Sequence, residues 1–394
     1  MSEWKKVKLG DCITTKKGFA FKSRLYTQQG VPIVRVSDFT LNSIKDNDLV
    51  YYPISEYDKY YDYILSEKDV LIQTVGSWQY NPNSVVGKVV RVPYYHRGSL
   101  LNQNIVKIIP NIGIDKDFIY YRIKCVDFSG FVIGEARGAA NQASITLDTI
   151  KRFTFLLPSL EVQQQIATIL SRYDSLIENY QKQIKLLEES AQRLYKEWFI
   201  DLRFPGHENT KIVDGVPEGW EKKKVGNLIS KVLRTKLVSA NNYLYSGRFP
   251  VIDQSRNYIA GYTNDIESLV KVTIPYIVFG DHTRVLKYVP FSFAKGADGT
   301  QLIMSNDLER MPQSLFYNSL IEIDLSNYSY ARHFKYLKEE YIIVPSKDIA
   351  QRYDKVVSQY FQSIQKNREQ IRHLTEARDR LLPKLMSGEV IVMR

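Results

Sequence analysis

Two long amphipathic stretches, which repeat at an offset of 187 residues, constrain the fold of this chain more than any other feature. Between positions 173 and 199, eight residues are identical to their counterparts. The identical pairs are Tyr173 and Tyr360, Ile177 and Ile364, Gln183 and Gln370, Ile184 and Ile371, Leu187 and Leu374, Glu189 and Glu376, Arg193 and Arg380, and Leu194 and Leu381. Apolar residues recur every three or four positions, as in a helix that packs along one seam. The predicted seam residues are Ile177, Ile184, Leu187, Leu194, Ile364, Ile371, Leu374 and Leu381.

These stretches predict helices over 159–204 and 346–394. Each follows a proline and a serine, which stop the preceding strand and cap the helix. Pro205-Gly206 is expected to end the first helix, Pro383 to interrupt the second, and Ser387-Gly388 to end it. A helix of about 38 residues would extend about 57 Å at 1.5 Å per residue.

A surface helix of that length needs a partner for its apolar stripe. We expect the two copies to pair antiparallel within the chain, and pairing between two chains is the alternative. Asn367 and Arg378 occupy seam positions in the second copy, where polar residues often fix register and partner.

A second repeat marks the start and the end of each half. The opening run from Trp4 to Gly10 resembles the run from Trp220 to Gly226, with Trp, two Lys and Gly in register. Leu156-Leu-Pro-Ser159 likewise resembles Ile343-Val-Pro-Ser346. The residues between opener and Pro-Ser do not align. The chain therefore consists of a variable block (1–158), a shared helix, a second variable block (205–345) and the second shared helix.

The variable blocks are rich in short β-type runs between turn residues. We predict strands near 31–36, 69–75, 85–92, 105–109, 276–280, 285–289 and 320–324, and helices at 115–126 and near 309–318. The predicted fold class is α+β, with two α+β domains, each built on a mixed, curved sheet, separated by two long antiparallel, coiled-coil-like helices.

The formal net charge of +11 favours a polyanionic partner such as nucleic acid, although a basic protein without such a partner fits about equally well. No run of about 18 apolar residues predicts a membrane span, and the first residues lack the apolar core of a signal peptide. Cys12 and Cys125 are isolated, so they suggest neither a zinc cluster nor a disulfide framework. The expected location is the cytoplasm.

Catalytic motifs are not apparent in the sequence. It contains no G-x-x-x-x-G-K-[ST] loop for nucleotide phosphates. Asn81-Pro82-Asn83 lacks the second proline and the aromatic residue of the adenine methyltransferase loop. The five histidines are scattered without the spacing of metal ligands. We therefore expect no catalytic residue, metal or cofactor in this chain.

Basic and amide side chains in loops are the candidates for DNA contact. Arg and Lys suit guanine and phosphate, and Asn and Gln suit adenine. The candidates are Lys16, Lys17, Lys22, Arg24, Gln73, Trp78, Gln79, Arg137 and Asn141 in the first block, and Arg234, Lys236, Arg256, His282, Arg284 and Lys295 in the second. For any one loop, a solvated polar turn is the simpler interpretation.

Three stretches carry a family resemblance: Pro158 to Glu178, the opener Val216 to Glu221, and the tail Ala377 to Glu389 with its Leu-Leu-Pro-Lys-Leu-Met-Ser-Gly-Glu sequence. With these, the chain resembles the specificity subunit of type I restriction–modification systems over essentially its whole length. The first helix departs from the pattern, because Tyr195-Lys-Glu-Trp-Phe199 replaces the proline-containing version.

The resemblance implies two target recognition domains (1–158 and 205–345) joined by a central (159–204) and a C-terminal (346–394) conserved helix in a pseudo-two-fold repeat. It implies that each domain reads one half of a bipartite, asymmetric site in double-stranded DNA. The implied partners are two modification subunits carrying S-adenosylmethionine, which methylate a flipped-out adenine, and motor-endonuclease subunits using ATP and Mg²⁺. A stand-alone DNA-binding or regulatory protein, and a coiled-coil assembly protein, remain as alternatives.

Overall fold

The computed structural model describes residues 4–40, 43–78, 85–139, 142–233, 235–328 and 332–390. The chain divides into two compact units. Unit 1 comprises Met1–Ile177 and His373–Arg394, and unit 2 comprises Glu178–Arg372. Within the described ranges, no helix combines the length and the apolar character that crossing a bilayer requires.

The first part of the chain forms twelve strands, four short α-helices and four 3-10 helices (Ser23–Leu25, Val36–Asp38, Ile54–Tyr63 and Tyr94–His96) among its described residues. The strands are β1 (Lys5–Lys8), β2 (Ile13–Lys17), β3 (Val31–Val34), β4 (Val50–Tyr52), β5 (Val70–Gln73), β6 (Val75–Gly76), β7 (Val89–Arg91), β8 (Leu100–Leu101), β9 (Ile105–Pro110), β10 (Arg137–Ala139), β11 (Gln142–Ser144) and β12 (Thr154–Leu157). The helices are α1 (Leu9–Cys12), α2 (Lys116–Lys124), α3 (Val126–Gly134) and α4 (Leu147–Arg152).

The strands of unit 1 form several small sheets, so the prediction of one mixed sheet in this block is wrong. One sheet has the antiparallel order β2-β9-β5-β7, and another has the order β4-β3-β8 with β3 and β8 parallel. Burial on both faces of β5 explains the division. Val70 and Ile72 belong to one buried cluster, whereas Leu71 belongs to another. The alternation of side chains along a strand thus supplies two cores at once.

The remainder of the chain begins and ends with the long helices. Helix α5 (Leu160–Tyr195) is followed by β13 (Ile212–Val213), β14 (Val216–Pro217), β15 (Glu221–Lys224), β16 (Phe249–Ile252), β17 (Gly261–Thr263), β18 (Leu269–Val270), β19 (Tyr276–Gly280), β20 (Leu286–Val289), β21 (Phe293–Lys295), β22 (Thr300–Ile303), α6 (Gln313–Ile321), α7 (His333–Glu339), β23 (Tyr341–Val344) and α8 (Lys347–Ser387). Unit 2 contains the sheets β17-β16-β21-β18 and β20-β19-β22, again in place of the single mixed sheet that we predicted.

The strand predicted over 320–324 is also wrong. Helix α6 continues to Ile321, and no strand follows before Asp324. Leu315, Phe316 and Leu320 are all buried at helical spacing, so packing of the helix face outweighs the β-type run of Ile321 to Ile323. The helix predicted at 115–126 is present as α2, in which the Asp115 side chain accepts a hydrogen bond from the Phe118 N–H at 2.8 Å.

Helices α5 and α8 begin at the predicted Pro-Ser boundaries. A π-helical turn, Lys196–Ile200, extends α5, so the first helix ends at Ile200, before Pro205. The prediction that Pro383 interrupts the second helix is wrong, because α8 runs through it to Ser387. Proline has no backbone N–H, so Pro383 removes one hydrogen bond of the helix. Only about one turn of α8 remains beyond it. Gly388, with φ of +76°, then ends the helix.

The two helices contact each other antiparallel within each unit, as predicted. In unit 1 the Arg378 guanidinium lies 2.6 Å from the Asp174 carboxylate. In unit 2, Asn367 donates to the Gln183 side chain at 3.2 Å and the Tyr353 hydroxyl donates to the Ala191 carbonyl at 3.2 Å. Ile177 and Ile364 are buried. The other seam residues, Ile184, Leu187, Leu194, Ile371, Leu374 and Leu381, are half-buried. Polar residues at seam positions therefore pair across the two helices.

In both units, the strand of the opener pairs with the strand that leads into the long helix. Strand β1 lies antiparallel to β12, with Lys5 opposite Leu157, and β15 lies antiparallel to β23, with Glu221 opposite Val344. In unit 2 the Arg310 guanidinium secures this closure. It donates to the Pro345 carbonyl at 2.9 Å and to the Gly219 carbonyl at 3.1 Å, and it pairs with Glu221.

Candidate nucleic-acid interface

In unit 1, hydrogen bonds bring together segments that are distant in sequence. We call residues 17–24, 73–78, 101–105, 137–139 and 142–145 the first loop cluster. Strand β11 pairs with both β10 and β6, which places residues 137–139 and 142–144 beside the segment that follows β5. The connecting bonds are Gly18 N–H to Ile105 O (3.0 Å), Phe19 N–H to Leu101 O (2.9 Å), Thr74 N–H to Asn104 O (2.9 Å) and Ile145 N–H to Thr74 O (2.9 Å).

The first loop cluster is basic and rich in amides. None of its segments contains Asp or Glu. Four of the predicted residues lie exposed in it, namely Lys17, Lys22, Arg24 and Arg137. The run Asn102-Gln103-Asn104, which the sequence analysis missed, also lies here, with Gln103 exposed. Three consecutive amides between two apolar strands were the signal that could have identified it.

Gly18 shows how closely the segments of this cluster approach. A Cβ at this position would overlap the backbone carbonyl of Asn102. Only glycine therefore allows β2 to pass so near the Leu101–Asn104 turn. The residue after Gly18, Phe19, is joined to the same segment through its N–H bond to the Leu101 carbonyl.

Three other candidates in unit 1 have structural partners. Lys16 lies 3.5 Å from the Asp62 carboxylate and above the Tyr63 ring. Gln73 is fully buried, and its amide donates to the Val85 carbonyl at 2.8 Å. Trp78 is half-buried against the core of unit 1. Gln79, Asn141 and Arg234 lie outside the described residues.

Unit 2 contains a comparable arrangement. We call residues 236–238, 252–256, 280–284 and 295–299 the second loop cluster. Its connecting hydrogen bonds are Val238 N–H to Lys295 O (3.0 Å), Ala297 N–H to Val238 O (2.8 Å), Gly296 N–H to Ile252 O (2.8 Å) and Asp281 N–H to Gly299 O (2.7 Å). These bonds bring together the segments of five predicted residues, Lys236, Arg256, His282, Arg284 and Lys295.

The basic residues of this cluster differ in their exposure and in their bonding partners. Arg256 and His282 are exposed, and Lys295 is half-buried. Arg284 is exposed, and one guanidinium nitrogen donates to the Leu325 carbonyl at 3.0 Å. Lys236 lies 2.8 Å from Asp265 and 3.3 Å from Glu267, and these carboxylates raise the pKa of Lys236. A phosphate would therefore compete with two carboxylates for Lys236.

The acidic residues of the second loop cluster have largely structural roles. Asp281 is buried and accepts a hydrogen bond from the Phe334 N–H at 2.8 Å. Asp253 accepts from the Ser255 hydroxyl at 2.6 Å and from the Tyr243 hydroxyl at 3.2 Å. These donors occupy the oxygens of both carboxylates without removing their charge, and Asp298, the third acidic residue of the cluster, is exposed. The second loop cluster is therefore less basic than the first.

Lys287, which the sequence analysis did not single out, lies beneath this cluster. Its ammonium group is buried and donates to the backbone carbonyls of Asp253 at 2.7 Å and Asn257 at 2.5 Å. Burial lowers the pKa of Lys287 to about 8, although Asp253 opposes the shift. A lysine among the apolar residues of β20 was the only signal in the sequence.

A cavity of about 280 Å³ opens beside the 256–258 segment of unit 2. Arg256, Lys287, Arg368 and Glu188 contribute its charged lining. The Arg368 guanidinium lies 3.7 Å from the centre of the Tyr258 ring and 3.0 Å from the Glu188 carboxylate. Burial raises the pKa of Glu188, and Arg368 opposes that shift. Glu188 and Arg368 of the two long helices therefore line the same cavity as Arg256 of the second loop cluster.

The chemistry of both clusters is that of hydrogen-bond donors and acceptors. Across the described ranges, no three His, Cys, Asp or Glu side chains converge as metal ligands would. Cys12 and Cys125 are buried, and burial raises the pKa of each thiol to about 11. They are therefore protonated at neutral pH.

The sequence and the fold were compared with known proteins. Residues 1–189 match the family model described as the type I restriction modification DNA specificity domain. The type I restriction enzyme MjaIX specificity subunit of Methanocaldococcus jannaschii is 29% identical over 318 residues, covering 74% of this chain and 73% of its own. The type I restriction enzyme HindI specificity subunit of Haemophilus influenzae is 24% identical over 347 residues, covering 66% of this chain and 73% of its own.

A solved structure shares the fold. The crystal structure of the type I restriction–modification system S subunit from M. genitalium aligns over 100% of this chain and 97% of its own, with a TM-score of 0.56 and 16% sequence identity. The family match, the curated relatives and the shared fold agree with one another. Residues 1–189 therefore match the specificity domain of type I restriction–modification systems, and the chain as a whole is similar to the DNA sequence-specificity subunits of these systems.

Proposed function

We propose that units 1 and 2 each carry a target recognition domain that reads one half of a bipartite, asymmetric DNA site. The observation that carries this proposal is the first loop cluster, whose segments hold the exposed Lys17, Lys22, Arg24 and Arg137 and the amides of Asn102 to Asn104 and contain no Asp or Glu. Cations suit the phosphate backbone, and amides suit base edges in the major groove. The second loop cluster supplies the corresponding surface in unit 2.

The order of strand pairing supports an internal repeat. In unit 1, β3 pairs with β4 antiparallel and β8 parallel, while β5 lies between β7 and β9. In unit 2, β16 pairs with β17 antiparallel and β21 parallel, while β19 lies between β20 and β22. We retain the recognition domains as 1–158 and 205–345 and the conserved regions as 159–204 and 346–394, which contain α5 and α8, and these two helices are proposed to set the length of the unread spacer.

The chemistry of modification and cleavage belongs to partner subunits in this proposal. Two modification subunits carry S-adenosylmethionine and methylate adenine, and motor-endonuclease subunits use ATP and Mg²⁺. This chain directs them to their site without contributing a catalytic group, in the cytoplasm, where the DNA is. The candidate contact residues are those of the two loop clusters, with exposed cations making phosphate contacts and the amides making base contacts.

Methylome sequencing of DNA modified by the full chain with its modification subunit tests the proposal. The expected result is a two-part motif with an unread spacer and methylated adenine on both strands. A continuous palindrome, or no methylation that depends on this chain, would contradict it. Purification tests the alternative of a stand-alone DNA-binding regulator, because that protein would bind its sites without a bound methyltransferase.

The phosphate contacts can be tested separately through salt dependence. Replacing both Lys22 and Arg24 by alanine removes two exposed cations of the first loop cluster. If both contact phosphates, the slope of log K against log salt decreases in magnitude by about 1.8. The matched control replaces Arg172 and Lys182, exposed on α5, and should leave the slope unchanged. Equal effects of the two double variants would show that the cluster has no special part in DNA contact.

A further inference from the structure

Gln254, the second residue after β16, joins the two turns of the second loop cluster. Its side-chain NH₂ donates to the Asp298 carbonyl at 2.9 Å, and its side-chain oxygen accepts the backbone N–H of His282 at 3.1 Å. Its own carbonyl accepts the Thr283 hydroxyl at 2.6 Å. One residue thus holds the 281–284 turn on one side and the 297–299 turn on the other.

Both turns adopt a backbone conformation that needs such support. Arg284 has φ of +61° and Asp298 has φ of +30°, in the left-handed region that non-glycine residues rarely occupy. Unfavourable conformations of this kind persist only where surrounding contacts impose them, and they concentrate at functional sites. The Gln254 hydrogen bonds are contacts of that kind, and they lie directly beside these residues.

The fit between Gln254 and the second turn is close. A Cβ on Gly299 would lie 2.7 Å from the Gln254 side-chain nitrogen and 2.7 Å from the His282 ring. The turn therefore approaches both side chains as far as a glycine permits. The position of the exposed His282 ring depends on this packing.

Lys287 fixes Gln254 from below. Its ammonium group binds the carbonyls of Asp253 and Asn257, which lie on either side of the 254–256 segment. Lys287 therefore holds both ends of the segment from which the Gln254 side chain bonds to the two turns. This order of support, from buried lysine to glutamine to turn, resembles the way that outer residues fix the residues that contact a ligand.

We propose that Gln254 is a positioning residue for DNA reading by unit 2, and that it sets the geometry of His282 and Arg284 without contacting a base itself. This inference rests on the proposed function. It requires that replacing Gln254 lower the discrimination between bases in one half of the site, while discrimination in the other half is unchanged.

The test uses the full chain assembled with its modification subunit and the site that the methylome identifies. Affinity is measured by fluorescence anisotropy for duplexes with single-base changes in either half. For Gln254→Leu, discrimination in one half falls about tenfold, comparable to the loss of one good base contact. Gln254→Glu keeps the acceptor for the His282 N–H but sets a carboxylate oxygen against the Asp298 carbonyl, so discrimination in the same half should also fall.

Gln359→Leu, an exposed change on α8, is the matched control and should discriminate as the wild type does. Thr283→Val removes the hydroxyl that donates to the Gln254 carbonyl at 2.6 Å and accepts the Val285 N–H at 3.4 Å, and it leaves the Gln254 side chain in place, so it decides the matter if Gln254→Leu fails to fold. Unchanged discrimination in Gln254→Leu or, in that event, in Thr283→Val would overturn the inference, as would equal losses in both halves. If the wild type shows no base preference, the proposed function fails, which is a distinct result.

Discussion

Replacing Arg378 with alanine should destabilise unit 1 more than any exposed substitution on the same helix. The Arg378 side chain is 10% exposed and the Asp174 side chain 17% exposed, and their charged atoms lie 2.6 Å apart. Asp174 also accepts the Tyr121 hydroxyl at 2.6 Å. Without the guanidinium, the Asp174 carboxylate would stay largely buried. Of its two donors, only the neutral Tyr121 hydroxyl would remain.

The magnitude follows from that burial. Removing one partner of a buried ion pair costs about 3–5 kcal/mol, because the other charge stays desolvated. The residual exposure of both side chains places the expected cost for Arg378→Ala near 3 kcal/mol. Replacing Asp174 and Arg378 together by alanine removes both charges, so the double variant should cost less than the sum of the two single alanine variants. The coupling energy from the double-mutant cycle should exceed about 1.5 kcal/mol.

Urea unfolding, with hydrogen exchange of the amides in 160–177 and 373–387, would measure this cost and locate it. Arg380→Ala, an exposed change two positions along α8, is the control and should shift the unfolding free energy by less than about 0.5 kcal/mol. The reasoning is refuted if Arg378→Ala costs less than about 1 kcal/mol, or if the coupling energy is near zero.

Three further predictions concern other buried polar groups. Arg310→Ala should lower the unfolding free energy by about 2 kcal/mol, because two carbonyls and Glu221 lose a charged donor; the exposed Arg332→Ala is its control in urea titrations. Gln163→Ala should cost about 2 kcal/mol, since the Asp115 N–H and the Pro158 carbonyl lose their partner; Gln164→Ala should be silent in the same assay. The lowered pKa of Lys287, about 8 against 10.5, means that the unfolded chain binds more protons above pH 8, so stability should rise from pH 8 to 9.5. Lys287→Met should flatten that rise in urea midpoints, and an equal slope in the variant would contradict the assignment.

The long helices could be predicted because helical periodicity records burial on one side of each. Arg378 and Asn367 were expected to fix partner and register, and each pairs across to α5. Periodicity could not show that Arg378 would meet Asp174 in particular, because that contact depends on the axial offset of two helices. The start of each helix was predictable from the Pro-Ser pairs, because a proline and a capping serine act on the adjacent backbone.

The variable blocks were less predictable, because their strands are short and pair over long distances. The run Leu320 to Asp324 has the composition of a strand, and only the packing of Leu315 and Leu320 reveals the helix. Gln73 was a candidate DNA contact, but it is fully buried at the end of β5. Lys287 and Gln254 act through backbone atoms of distant loops, and sequence patterns do not record such contacts.

The closure of β1 on β12 and of β15 on β23 has a consequence for the evolution of new specificities. Each variable segment begins and ends at a pair of antiparallel strands, so its two ends are neighbours whatever lies between them. Closing a longer loop between fixed ends adds only about 0.6 kcal/mol for each doubling of its length. A foreign segment of another size can therefore be spliced between the same two strands, while the first turn of the long helix stays where it is. Under the proposed function, recombination at the shared borders is a structurally tolerant route to a new target sequence.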